Sequence, residues 1–276
     1  MKIYEKLPKE CCTVGLKATK KQAALKEITR LLKNSPLLSS MNEQTIFDAL
    51  ARREELGSTG IGRGVAIPHA KIEGISDFVV ALATAEKGIH FDAVDNKKVY
   101  IFFALIGPPD RPDEHLKLLS AIPLLLRDEK IKTELRRART PEALYETIVM
   151  ASGEEESIQK TTPTSKQKLA IIVLYEQQFL DNILELFIEL GIRGSTVIDS
   201  IGMGGILTKV PLFADFINFL GQNKNYSKTI LLSVNDSELQ AVARGIDNIM
   251  GNLDTHGGAV IMALDLKFMK GSMEYL

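Results

Sequence analysis

The sequence predicts an α/β (α+β) protein built as two separate domains. Three observations lead there. Apolar runs of strand length alternate with segments of helical spacing throughout the chain. A polar stretch poor in apolar residues, ASGEEESIQKTTPTSKQ, interrupts that alternation between Ala151 and Gln167. The order of elements also differs on its two sides, so the halves are not repeats. The expected division is residues 1–150, a linker over 151–166, and residues 167–276.

In the first half, Thr19 to Leu32 predicts a helix, with Ala23, Ala24, Ile28, Leu31 and Leu32 at helical spacing. A second helix is expected after Ser40, whose hydroxyl would cap the amide near Glu43, and to run through Ile46 and Leu50 to about Glu55. The glycine-rich stretch GSTGIGRGVAIPHA follows and leads into a short apolar segment. Asp77–Ala85 and Val99–Ile106 read as strands joined by a turn near Asp95-Asn96. The loop Gly107–Asp113 then feeds a helix carrying His115, Leu116, Leu119 and Ile122, with Pro123 expected to interrupt it. The run Lys130–Arg139 reads as a solvated helix face. A last helix starts after Thr140, with Pro141 at its first position. These elements make a mixed sheet with flanking helices.

The second half reads strand (Leu169–Tyr175), helix (Phe179–Gly191), strand (Ser195–Ser200), a long excursion, strand (Lys228–Val234), helix (Ser237–Met250) and strand (Ala259–Leu264). That succession is a split β-α-β, the ferredoxin-like order. Within the excursion Ile206–Asn225, the apolar residues of LFADFINFL suggest a packed helix.

Composition excludes several classes. The formal net charge is -1, so no bulk attraction draws nucleic acid or an anionic membrane. The longest strongly apolar run, Leu169–Tyr175, is far shorter than the roughly 20 residues that span a bilayer. Residues 1–20 hold no long apolar core, so no secretory leader is expected. The two cysteines, Cys11 and Cys12, are adjacent and have no distant partner. A reducing, cytoplasmic setting fits them.

The residues around His69 suggest phosphoryl chemistry. Free imidazole has a pKa of about 6.5 and is largely unprotonated at neutral pH, and an N–P bond on it is readily passed onward. A phosphoryl group also needs donors for its oxygens, because charge spreads over them in the transition state. Pro68 restricts the backbone just before His69. Gly57, Gly60, Gly62 and Gly64 would let the chain approach an anion closely. His115 falls at the start of a helix, where the dipole favours phosphate. Spacing alone does not bring these groups together.

The stretch LARREELGSTGIGRGVAIPHAKI resembles the signature of the fructose/mannitol-type IIA family of the sugar phosphotransferase system, which includes the nitrogen-regulatory IIA proteins. The G-x-G-[IV]-A-[IV]-P-H motif falls on Gly62, Gly64, Val65, Ala66, Ile67, Pro68 and His69. An E-H-L sequence falls on Glu114-His115-Leu116, and an R-E pair on Arg53-Glu54. The resemblance covers about residues 1–150. It implies that His69 accepts a phosphoryl group from the histidine phosphocarrier protein HPr and passes it to a cysteine of a IIB component. It further implies that His115 orients the phosphoryl oxygens and Arg53 neutralises their charge. Thr59 is a candidate further donor, an ordinary loop hydroxyl being the equal alternative, and Gly62 and Gly64 are candidate phosphoryl-binding positions. Arg63 is expected to face solvent or the partner, and His90 to lie at the surface. No cofactor or metal is expected.

The second half resembles the PII-like signalling family through its element order and through TVIDSIGMGG (Thr196–Gly205). This implies a homo-oligomer, by analogy a trimer, and a site for a metabolite. The corresponding glycine loop, GNLDTHGG (Gly251–Gly258), holds no lysine or arginine, which argues against nucleotide phosphates there. His256 is expected to be a turn residue, and Met203 and Met262 to fill core space. Two other functions compete with phosphotransfer. One is a regulatory binding protein switched at His69, with the second domain sensing a ligand. The other is a metallohydrolase, which the spacing of His69, His90 and His115 disfavours.

Overall fold

A computed structural model describes residues 3–152, 167–192, 194–202 and 227–269. Residues 153–166 of the expected linker, Met203 and the LFADFINFL segment lie outside the described residues, as does the side chain of His256. Ala151, expected to open the linker, ends a helix instead. The chain divides into two compact units, Met1–Gln159 and Lys160–Leu276.

The sheet of the first unit grows around one hairpin. Strands β4 (Val79–Ile89) and β5 (Val99–Gly107) pair antiparallel. Asn96 turns the chain between them at φ 56°, with its amide donating to Ala93 O at 2.8 Å. Asparagine tolerates that left-handed conformation better than most residues. Three short strands extend the sheet in parallel: β1 (Cys12–Thr13) beside β4, and β2 (Val65–Ala66) and β3 (His69–Lys71) beside β5. The result is a mixed sheet.

Both faces of the hairpin are covered, which explains why its strands read as continuous apolar runs rather than alternating ones. On one face Ala81, Ala83, Phe102 and Ala104 join the core of helices α1 (Lys21–Leu32) and α2 (Glu43–Glu55). Successive residues point to opposite faces, so Val80, Leu82, Phe103 and Leu105 bury the other side. There α3 (Pro112–Leu125), α4 (Glu129–Arg137) and α5 (Pro141–Ala151) contribute buried residues including Leu119, Leu135 and Ile148. Cys11 and Cys12 are free and buried. Burial pushes both thiols up to about 12, so neither is a thiolate at neutral pH.

Two local expectations are corrected. The cap of α2 is Asn42, whose side chain accepts from Gln44 N at 2.8 Å. The helix begins at Glu43, which leaves Ser40 too far upstream to reach it. Pro123 does not interrupt its helix either. It sits in the last turn of α3, which continues to Leu125. The ring removes one amide donor, and the helix runs only two residues beyond it.

In the second unit, strands β6 (Lys168–Leu174), β7 (Ser195–Asp199), β8 (Lys228–Val234) and β9 (Ala259–Asp265) form an antiparallel sheet in the order β7-β8-β6-β9. Helix α6 (Leu180–Glu189) lies between β6 and β7 in sequence, and α7 (Asp236–Met250) with the short α8 (Leu253–His256) between β8 and β9. Ala170, Ile172, Leu174, Ile230 and Leu232 bury one sheet face against Ile183, Phe187, Val242 and Ile246 of α6 and α7. Met262 is not a core residue: it is 46% exposed, with Val260 and Leu264 exposed beside it at alternate positions of β9. The period of two along the strand puts these three on the face away from α6 and α7, whereas Ile261 packs toward them.

Helix α7 starts with a full capping box. Asn235 accepts from Glu238 N at 2.9 Å, and the Glu238 carboxylate accepts from Asn235 N at 2.8 Å. Asn235→Ala should therefore destabilise this unit by about 1 kcal/mol. Urea unfolding of the full chain followed by amide exchange in β8 and α7 checks this.

Candidate functional site

His69 is the first residue of β3, and β5 holds its backbone. It pairs in register with Leu105 of β5, while Leu105 N donates to Pro68 O at 3.0 Å. Imidazole orientation then follows from two hydrogen bonds. Nδ1 lies 2.8 Å from Ile67 O, and Nε2 accepts from Arg53 Nε at 2.9 Å. A carbonyl oxygen only accepts, so Nδ1 must carry the proton. Nε2 is left with its lone pair, which is the form that attacks an electrophile.

Arg53 stands in the last turn of α2, where the negative end of the helix dipole favours a cation. Its Nη1 donates to Gly57 O at 3.3 Å, which steadies the guanidinium beside the ring. A planar, permanently charged fork at the nucleophilic nitrogen suits the oxygens of an incoming phosphoryl group. His115 lies in the first turn of α3, its ring centroid 5.6 Å from that of His69 and inclined by 63°. The positive end of the α3 dipole adds to the attraction for an anion there. Thus Arg53, His69 and His115, separate in sequence, meet at one place.

A salt-bridge network steadies the start of α3. Arg111 pairs with Glu114 Oε2 at 2.5 Å and with Asp77 Oδ1 at 3.1 Å, and Lys6 pairs with Asp77 Oδ2 at 2.5 Å. Desolvation works against the Asp77 carboxylate. Hydrogen bonds from Lys6, the Phe78 amide and Arg111 outweigh it and hold the group below the usual carboxylate range. Phe78 sits between this network and the site, with the Arg111 guanidinium 5.2 Å above its ring and His115 6.0 Å away. A Cβ on Gly107 would lie 2.1 Å from Phe78 Cε1. Gly107→Ala should therefore displace the ring, destabilise the unit by about 1–3 kcal/mol and shift the His115 resonances in NMR spectra of the full chain.

Other expected site residues take different roles. The Thr59 hydroxyl donates to Glu54 Oε2 at 2.5 Å, and the Thr59 amide donates to the same carboxylate at 3.1 Å. It is tied to Glu54 rather than turned toward the imidazole. Gly62 and Gly64 form a turn with φ 84° and 79°, a conformation that favours glycine. The turn packs against the β4–β5 hairpin. A Cβ at Gly62 would meet Asp95, and one at Gly64 would meet Tyr100, each at 3.3 Å. Arg63 between them is exposed and donates its amide to Asp95 Oδ2 at 2.9 Å. His90 is exposed and joins Lys20 through a backbone bridge.

Sequence reasoning gave no role to Glu54 or to the Ile67 carbonyl. The carboxylate beside Arg53 was a visible signal for the first. No residue type announces a backbone acceptor.

Residues 5–150 match the family described as phosphoenolpyruvate-dependent sugar phosphotransferase system, EIIA 2. The chain is 40% identical over 152 residues to a nitrogen regulatory protein of Klebsiella oxytoca, covering 55% of this chain and 92% of that protein. It is 28% identical over 148 residues to the fructose-specific EIIABC component of Bacillus subtilis strain 168, covering 54% of this chain and 23% of that protein. Among solved structures, the nitrogen regulatory protein IIA-Ntr of Neisseria meningitidis aligns with a TM-score of 0.49 at 31% identity, over 53% of this chain and 98% of that one.

Proposed function

Because the chain belongs, through residues 5–150, to the phosphoenolpyruvate-dependent sugar phosphotransferase system EIIA 2 family, we propose that His69 takes a phosphoryl group from phosphorylated HPr and hands it to a cysteine of a IIB component. The observation that carries this reading is the pair of hydrogen bonds on the His69 ring, Nδ1 to Ile67 O and Arg53 Nε to Nε2. In the forward step the Nε2 lone pair bonds phosphorus as the donor's N–P bond breaks, and Nδ1 keeps its proton. Arg53 moves its donors from Nε2 to the phosphoryl oxygens, and His115 faces the same group. In the second step a thiolate takes the phosphorus and the Nε2 lone pair returns. The chemistry is positioning and charge stabilisation.

Incubation of the full chain with phosphoenolpyruvate, enzyme I and HPr should label it with an acid-labile, base-stable phosphate on His69. A label that survives acid, or none at all, counts against the reading.

A regulatory role is the second reading. It is favoured by the nitrogen regulatory proteins that are 34–40% identical to this chain and by the additional unit. We read residues 167–276 as a ferredoxin-like, PII-like domain joined by the linker that follows α5. The antiparallel order β7-β8-β6-β9, with a helix after β6 and another after β8, supports this. In this reading the protein is a cytoplasmic homo-oligomer, by analogy a trimer, and the state of His69 sets its affinity for a target. Thermal shifts of the full chain with nucleotides, bicarbonate or 2-oxoacids test ligand sensing, and no shift with any of them weighs against it.

A further inference from the structure

Two consecutive residues of α2 address opposite edges of one imidazole. Arg53 does so directly, at Nε2. Glu54 does so through the backbone. Its side chain is only 4% exposed, and three donors converge on its carboxylate. These are the Thr59 amide at 3.1 Å, the Thr59 hydroxyl at 2.5 Å and Lys21 Nζ at 3.0 Å. The carbonyl of the anchored Thr59 accepts from Ile67 N at 2.9 Å. The carbonyl of Ile67 in turn accepts from His69 Nδ1 at 2.8 Å.

We propose that Glu54 is a positioning residue for phosphoryl transfer, which by anchoring Thr59, and through it Ile67, keeps His69 in the Nδ1–H tautomer whose Nε2 is the nucleophile. The inference rests on His69 being the phosphoryl acceptor. Its physical basis is that a histidine's tautomer is set by the hydrogen bond made at the other nitrogen. A buried carboxylate is unfavourable unless it is paired. Here its partners are the Lys21 ammonium and the loop that carries the carbonyl in question. Lys21 also pairs with Asp92 Oδ2 at 2.9 Å, which fixes it from the far side.

Glutamine is an informative replacement. It keeps the shape of glutamate but offers one acceptor oxygen where three donors converge, and turns an NH2 donor toward them. Glu54→Gln should loosen Thr59 and let the Nε2–H tautomer of His69 appear in 15N spectra of histidine-labelled full chain. The initial rate of phosphorylation by phospho-HPr should fall about 10-fold, with KM for phospho-HPr unchanged. Thr59→Val removes one of the three donors and should move both readings the same way, while Thr59→Ser restores them. A merely stabilising brace would lower the melting temperature and leave the tautomer alone.

A folded Glu54→Gln chain with wild-type tautomer and rate overturns the inference. If that variant does not fold, Thr59→Val decides by the same two readings. Failure of the underlying reading looks different. The wild-type chain would then carry its phosphate on a residue other than His69, and the tautomer spectra alone would decide the role of Glu54.

Discussion

His69→Gln is expected to leave no acid-labile phosphate on the chain, at any concentration of phospho-HPr. The glutamine carboxamide has no basic nitrogen lone pair, so no N–P bond forms at position 69. Its oxygen still accepts a hydrogen bond, so the donor of Arg53 is not stranded in a buried site and the fold should survive within about 1 kcal/mol. His115 does not replace the lost nucleophile. Its ring stands 5.6 Å away at the start of another helix, and the Arg53 Nε–H points to position 69. A base-stable label on this variant, or one mapped to His115, would move the acceptor. Phosphate counting after a single turnover, alongside the thermal melting curve, makes the measurement.

The long elements were readable because each carries its own physical signal. Helix α1 has Ile28 and Leu32 four apart, and β5 is an unbroken apolar run because both its faces are buried. The hairpin turn showed in Asp95-Asn96. Shorter pieces carry no such signal. Two residues at Cys12–Thr13 or Val65–Ala66 have no period to detect, yet they complete the sheet that fixes His69. The glycines of the motif were visible, but the turn they make was not: Gly62 and Gly64 provide its positive φ angles, packed on Asp95 and Tyr100. Ser40 and Asn42 are both good caps, and only the helix start decides between them. The meeting of Arg53, His69 and His115 was implied by family resemblance and not by spacing. What holds the ring, the carbonyl of Ile67, belongs to the backbone and is the same for every residue type.

Arg53 carries the second large expected effect. Arg53→Ala should lower the rate of phosphoryl transfer to His69 by about 100- to 1,000-fold, the usual loss when one preorganised donor to a developing anion is removed. The guanidinium contacts His69 Nε2 in the resting state and, in the proposed mechanism, the phosphoryl oxygens during transfer, so the loss should fall on kcat rather than on KM for phospho-HPr. Arg53→Lys should recover only part of it. Lysine restores the charge, but an ammonium has no planar fork to donate to the ring while a second nitrogen bonds the Gly57 carbonyl. The alternative task for an arginine at such a site is to attract the partner protein. In that case Arg53→Ala would raise KM, flatten its dependence on salt and spare kcat. Rates measured across phospho-HPr concentration at two ionic strengths therefore separate a residue acting on the transferring group from one acting on the protein that brings it.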